Sequence, residues 1–131
     1  MSQENLDAFR RGTEAISRGD VVDIPELVHP EAVFEPLRSG TEGPFVGHEG
    51  MRRFIADTEE MFEIFEISYT DVRDLGDRLV AIGSIRMRAR GSGVEADVRS
   101  AAVVDYRDGL LWRYKDYGEP RLALSAAGLR E

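Results

Sequence analysis

The chain has 131 residues, 42% of them hydrophobic and 32% charged, with a formal net charge of −8 and no cysteine. That length fits one core and is too short for two, and the balance is that of a folded globular chain. The absence of thiols excludes disulfides, thiol catalysis and cysteine-based zinc sites, and the negative field opposes nucleic-acid phosphates and anionic membranes.

No apolar run approaches the ~18 residues that a membrane-spanning helix needs. Met1-Ser2-Gln3-Glu4 lacks the basic-then-apolar pattern of a signal peptide. The expected location is the cytoplasm, and with no repeat or linker the expected organisation is one domain over residues 1–131. Leu6, Phe9, Thr13 and Ile16 recur at intervals of three and four. This predicts an amphipathic helix from Ser2, its cap, to Arg18, ended by Gly19. A short second helix is expected near Asp23, with Pro25 in its first turn, Leu27 and Val28 facing the core and Pro30 as its stop. Ala32-Val33-Phe34-Glu35 reads as a brief strand, and Arg38 to Phe45 as a loop. A third helix over 48–63 places Met51, Phe54, Ile55, Thr58 and Phe62 on one face.

From there the pattern alternates. Strands are predicted at 64–74, 78–91, 94–106 and 110–118, joined by Gly-Asp, Ser-Gly and Asp-Gly turns. A last short helix over 119–127 carries Leu122 and Leu124 and ends at Gly128. The fold class is α+β, with the helices on one face of a mainly antiparallel sheet.

A two-residue Ser92-Gly93 loop would pair Gly91 with Val94. Arg90, Arg88, Arg86, Ser84 and Ile82 then share the outer face with Glu95, Asp97, Arg99, Ala101 and Val103. Met87, Ile85, Gly83, Ala81 and Leu79 face inward with Val98, Ser100, Ala102, Val104 and Tyr106. In this register Asp97 meets Arg88 in a surface ion pair, which places the Asp97-Val98-Arg99 acid and base outside any pocket. For the next hairpin, a two-residue Asp108-Gly109 loop would bury Arg113 and Lys115 without partners, which is costly. A three-residue loop is therefore expected, setting Trp112 beside Val104, Tyr114 beside Ala102 and Asp116 beside Ser100, all inward.

Several segments carry a resemblance: Arg18-Gly19-Asp20, the run from His29 to Glu35, Gly47-His48-Glu49-Gly50, the Gly91–Glu95 and Arg107–Gly109 turns, and the tail from Ala123 to Leu129. In this order and spacing the chain resembles the SnoaL-like branch of the nuclear-transport-factor-two-like superfamily. The resemblance implies a cone-shaped fold, three N-terminal helices on a curved sheet around a central pocket. It also implies dimerisation through the outer sheet face, where Ile82 and Val103 lie among charges. The fold hosts polyketide cyclases, ketosteroid isomerases, epoxide hydrolases and non-enzymes, so it does not fix an activity.

Asp116 is the first catalytic candidate, because it falls near the acid/base aspartate of SnoaL-like cyclases, and a carboxylate in an apolar pocket has its charged form disfavoured. Satisfaction by Ser100 or a backbone N–H is the structural alternative. Glu35 is the second, at the position where the isomerases carry their aspartate, with Pro36 leaving it at a pocket rim. The isomerases' oxyanion tyrosine would fall at Gly12 and their second acid at Ala102, so steroid isomerisation is not expected. Tyr114, Trp112 and Ser100 are the substrate-binding candidates. His29 and His48 have no partner at ligand spacing, so no metal is implied, and no cofactor motif is present. Three readings follow: a cofactor-independent cyclase, isomerase or hydrolase, a non-catalytic binder of a small apolar ligand, or a structural dimer. The small inward residues Ala81, Gly83, Ala89, Ala96 and Ala102 favour an open pocket over a filled core.

Overall fold

Helix α1 (Ser2–Arg18) buries Phe9 and Ala15 and lays Leu6 and Ile16 against the same core, as the spacing predicts. It ends where Gly19 takes φ 71°, with Gly19 N bonding Ile16 O and Asp20 N bonding Ala15 O, a pair of closing bonds that satisfies two orphan carbonyls. These coordinates are a computed structural model and describe residues 2–21, 23–37 and 43–129. Most of the expected Arg38–Phe45 loop lies outside the described residues.

Helix α2 is a single turn (Ile24–Leu27) that runs directly into strand β1 (Val28–Glu35). Pro30 therefore does not stop the helix but lies inside the strand. The pairing of β1 with β6 jumps from Val28↔Leu111 to Val33↔Arg113, and this irregularity accommodates a residue with no N–H. His29 accepts the Glu31 N–H on Nδ1 at 3.0 Å. His48 Nε2–H donates to Val28 O at 2.7 Å, tying the next helix to this strand.

After the two-residue strand β2 (Phe45–Val46), helix α3 (Gly47–Met61) buries Met51, Phe54, Ile55 and Thr58. Phe62 already opens β3 (Phe62–Asp74), and β4 (Arg78–Ala89), β5 (Glu95–Arg107) and β6 (Leu110–Asp116) follow. The sheet runs β2-β1-β6-β5-β4-β3, with only the β1–β6 pair parallel. This is the curved, mainly antiparallel α+β cone that the sequence predicts.

Two hairpins differ from expectation in instructive ways. The β4–β5 connection is four residues, not two, with Ala89 N bonded to Val94 O and Gly91 and Gly93 both at positive φ. Each strand partner moves by two, so parity, and with it the assignment of faces, is unchanged. The outer ion pair is consequently Arg88–Glu95, Nε to Oε2 at 2.8 Å, while Asp97 lies opposite Arg86. The β5–β6 turn is the two-residue Asp108-Gly109 loop, with φ 55° and 78° as a primed turn requires. Burial of Arg113 and Lys115 is avoided by a bulge: Tyr106 pairs with Leu111 but Asp105 with Arg113, leaving Trp112 unpaired. The extra residue returns Tyr114 and Asp116 to the inner face, while Trp112 stays on the outer one, where the tight turn places it. There Trp112 lies under the guanidinium groups of Arg107 and Arg113, 3.9 and 4.6 Å from its ring centre.

The C-terminal helix α4 (Pro120–Ala126) packs on the outer face, so the helices occupy both sides of the sheet. Its Ala123 and Leu124 form a second small core with Val80, Ala101 and Val103. Val103 is only 9% exposed and Ile82 is half-buried against this cluster. The apolar pair expected to meet a second copy is thus largely covered within the chain.

Candidate functional site

Between α1, α3 and the inner sheet face lies a cavity of about 180 Å³. Phe34, Phe54, Phe62, Phe65, Met87 and Val98 make most of its wall, and Thr13, Tyr69, Tyr114 and Asp116 supply its polar side chains. A smaller space of about 50 Å³ lies on the far side of Phe34 and Tyr114, whose rings stack with centres 4.5 Å apart.

The polar end is built by three strands. Tyr69 stands opposite Gly83, and Gly83 stands opposite Ser100, so the three form one row across β3, β4 and β5. With no side chain at Gly83, the Tyr69 hydroxyl reaches across the middle strand and meets Ser100 Oγ at 2.9 Å. A β-carbon on Gly83 would lie 1.9 Å from Ser68 O and 2.7 Å from Tyr69 Cα, beside the β3 irregularity that leaves Thr70 unpaired. Tyr69 also meets Tyr114 Oη at 2.7 Å. Ser100, fully buried, donates to Asp116 Oδ2 at 2.5 Å. Asp116 Oδ1 accepts the N–H groups of Ala101 and Gly118 at 3.0 and 2.9 Å. Four side chains thus form one continuous row, Tyr114, Tyr69, Ser100, Asp116, along the cavity wall.

Both tyrosines are held as neutral phenols. Burial, with the Asp116 charge second, pushes Tyr69 up to about 12 against the hydrogen bonds that lower it. Burial also raises Tyr114 well above the ordinary phenol value, with Tyr69 and Asp116 adding to it.

The structure brings Asp116, Ser100 and Tyr114 together. It does not bring in Glu35 or Trp112. Phe34 and Pro36 line the cavity, so Glu35 between them points to the opposite face, in register with Lys115. Glu35 and Trp112 share an outer groove with Arg78 and Asp105. Strand alternation misplaces Trp112 because a bulge resets parity, and the rim position expected for Glu35 fails because β1 continues extended up to it. Tyr69 and Gly83 are the participants that motif reading does not single out. A glycine inside a strand pattern is the available signal, since it often marks a bulge or a close backbone approach.

Among the described residues no group of three or more His, Asp or Glu side chains is arranged to hold a metal, and no helix is long and apolar enough to cross a membrane.

The fold is the one seen in nuclear-transport-factor-two-like proteins. The chain belongs to the SnoaL-like domain family, whose model matches residues 9–114. No curated protein matches it. Among solved structures it is similar to an NTF2-like protein of unknown function from Burkholderia pseudomallei, 18% identical, covering 93% of this chain and 95% of that one at a TM-score of 0.77. TerC, co-crystallised with polyporic acid, is 20% identical over 96% of this chain and 97% of its own, with a TM-score of 0.76. A protein of ketosteroid-isomerase-like fold from Catenulispora acidiphila, in complex with trimethylamine, is 18% identical over 98% and 95%, with a TM-score of 0.74. At these identities the likeness is one of fold.

Proposed function

We propose that residues 1–131 act as one domain that binds a small, largely apolar molecule in the 180 Å³ cavity and moves a proton on it without a cofactor, with Asp116 as the proton acceptor. The observation that carries this reading is the hydrogen-bonded row ending at Asp116 on an otherwise apolar wall. An apolar cavity of ~150 Å³ accommodates benzene, so this one suits a one- or two-ring molecule. A hydroxyl of that molecule, placed on Tyr114, would hand its proton along the row while each phenol stays neutral. Binding in complexes of TerC and of the Catenulispora protein supports a ligand role for the fold.

A purely binding role is the second reading, favoured by the three hydrogen bonds that already engage the Asp116 carboxylate. Thermal shift with benzene, naphthalene and indole tests the cavity: wild type should be stabilised, and Val98→Trp, which fills the space, should not respond. No shift with any of these rings would sink both readings. Bound 4-nitrophenol separates them. Proton transfer gives it the visible absorption of the phenolate at a pH where the free compound is neutral, and simple binding does not.

Homodimerisation through the outer sheet face also belongs to the proposal. Glu66, Glu95 and Asp97 alternate there with Arg86, Arg88 and Arg99, a pattern a two-fold axis can set against itself.

A further inference from the structure

The direction of the hydrogen-bonded row specifies what the cavity can hold, and this step rests on the ligand-binding reading above. An ionised carboxylate only accepts hydrogen bonds, and each hydroxyl has a single proton to give. Asp116 Oδ2 takes the proton of Ser100. Ser100 Oγ can then meet Tyr69 only as an acceptor, so the 2.9 Å contact is filled by the Tyr69 proton. Tyr69 has none left for Tyr114, and the 2.7 Å contact between them is filled by the Tyr114 proton. Every hydroxyl proton in the row points toward Asp116. The open end is Tyr114 Oη, which offers lone pairs alone.

The remaining polar side chain of the wall gives no donor either. Thr13 spends its hydroxyl proton on Arg10 O at 3.0 Å. No Lys, Arg or His lines the cavity among the described residues. The apolar wall therefore ends in acceptors whose donors are all committed. A ligand that brings an O–H or N–H completes Tyr114. A ligand that brings only a carbonyl or ether oxygen sets lone pair against lone pair, and leaves both groups desolvated and unpaired.

We infer that the cavity selects a neutral, ring-sized, largely apolar molecule carrying a hydrogen-bond donor, and discriminates against a molecule of the same size that has only an acceptor.

Asp116→Asn makes this testable, because it reverses the row. The amide oxygen must stay on the N–H groups of Ala101 and Gly118, since an NH₂ there would face two donors. The amide NH₂ then donates to Ser100, Ser100 to Tyr69 and Tyr69 to Tyr114, and the Tyr114 proton turns into the cavity.

Calorimetric titration of wild type and Asp116→Asn with indole, a donor without an acceptor lone pair, and 1-indanone, an acceptor without a donor, reads the two states. Wild type should bind indole about tenfold or more tighter than 1-indanone, the usual scale for a buried group left unpaired. In Asp116→Asn the order should invert. If the Asn variant does not fold, Ser100→Ala decides. Cutting the row there frees the tyrosine protons to point either way, so the preference should fall to within about threefold. Binding of both probes without preference by wild type, or a ratio unchanged in the folded variant, overturns the inference and leaves the ligand-binding reading standing. Failure of both probes to bind any of the proteins overturns that reading, and the inference with it.

Discussion

Gly83→Ala isolates the feature on which the candidate site depends. The glycine has no unusual φ, so alanine meets no backbone strain at its own residue, and the penalty is wholly a matter of space. Its β-carbon would stand 1.9 Å from Ser68 O and 2.7 Å from Tyr69 Cα. Both are backbone atoms, so no rotamer change relieves the clash. β3 must move away from β4 by ~1 Å or more around the Thr70 bulge. Forced insertion of a methyl into packed structure costs about 1–3 kcal/mol, and the strand entropy gained by losing a glycine returns at most about 1 of these. With both clashing atoms in the backbone the cost falls at the upper end of that range, and a net loss of about 1–2 kcal/mol lowers the melting temperature of a chain of this size by roughly 4–10 °C. The same movement withdraws Tyr69 from Ser100, so the preference for indole over 1-indanone should fade along with stability. Thermal unfolding followed by far-ultraviolet circular dichroism measures the first and calorimetry the second. A Gly83→Ala protein that melts within a degree of wild type would show that the close approach of β3 to β4 is not real, and the row of hydroxyls would lose its basis.

Gly12→Ala is the matched control: a β-carbon there meets nothing within 4 Å, so the same substitution in mid-helix should stabilise by about 0.5–1 kcal/mol, and a lower melting temperature would contradict the open space drawn beside α1. Alkaline pH should destabilise the fold, because Tyr69 is raised to about 12, and Tyr106 and Tyr114 are raised as well, by burial first of all. A raised folded value means that the stabilisation is complete below pH ~10 and is lost as pH climbs through the folded value, about 2–3 kcal/mol for Tyr69 alone. Tyrosinate absorption from these residues should therefore appear together with loss of circular dichroism and not before it. Met87→Asp should prevent folding by placing an unpaired charge on the cavity side, whereas Arg88→Ala on the outer face should leave the urea midpoint nearly unchanged; the opposite order would invert the assignment of faces. Light scattering at micromolar concentration should give the mass of two chains, and a mass of one would remove the homodimer from the proposal.

The faces of the sheet were legible because parity survives a register error of two. The β4–β5 hairpin has a longer turn than Ser92-Gly93 alone suggests, yet Met87, Val98 and Ser100 still face inward and Arg86, Arg88 and Asp97 outward. Only the identity of the partners changed, and with it the ion pair. The helices were legible for a similar reason: Phe9, Met51, Phe54 and Ile55 lie at helical spacing, and their burial follows from it. What the sequence did not show is where a single residue is inserted. Pro30 reads as a helix stop, and within β1 it sits in a stretch whose pairing is already interrupted. Trp112 reads as inward by counting from Asp116 in twos, and the bulge breaks that count.

The bulges at Thr70 and Trp112 are also what make the site. Without the second, the tight Asp108-Gly109 turn would carry Arg113 and Lys115 to the inner face in place of Tyr114 and Asp116. Without the first, Tyr69 would not stand over Gly83 within reach of Ser100. Each insertion is local and costs ladder bonds on its own strand. Neither leaves a periodic signal, because a bulge shows in sequence only as a glycine opposite it or as an awkward residue the alternation cannot place. Gly83 and Trp112 are those two residues. The candidate chemistry therefore sits where the β pattern fails, and a mid-strand glycine facing a tyrosine is a better guide to it here than the position of any carboxylate.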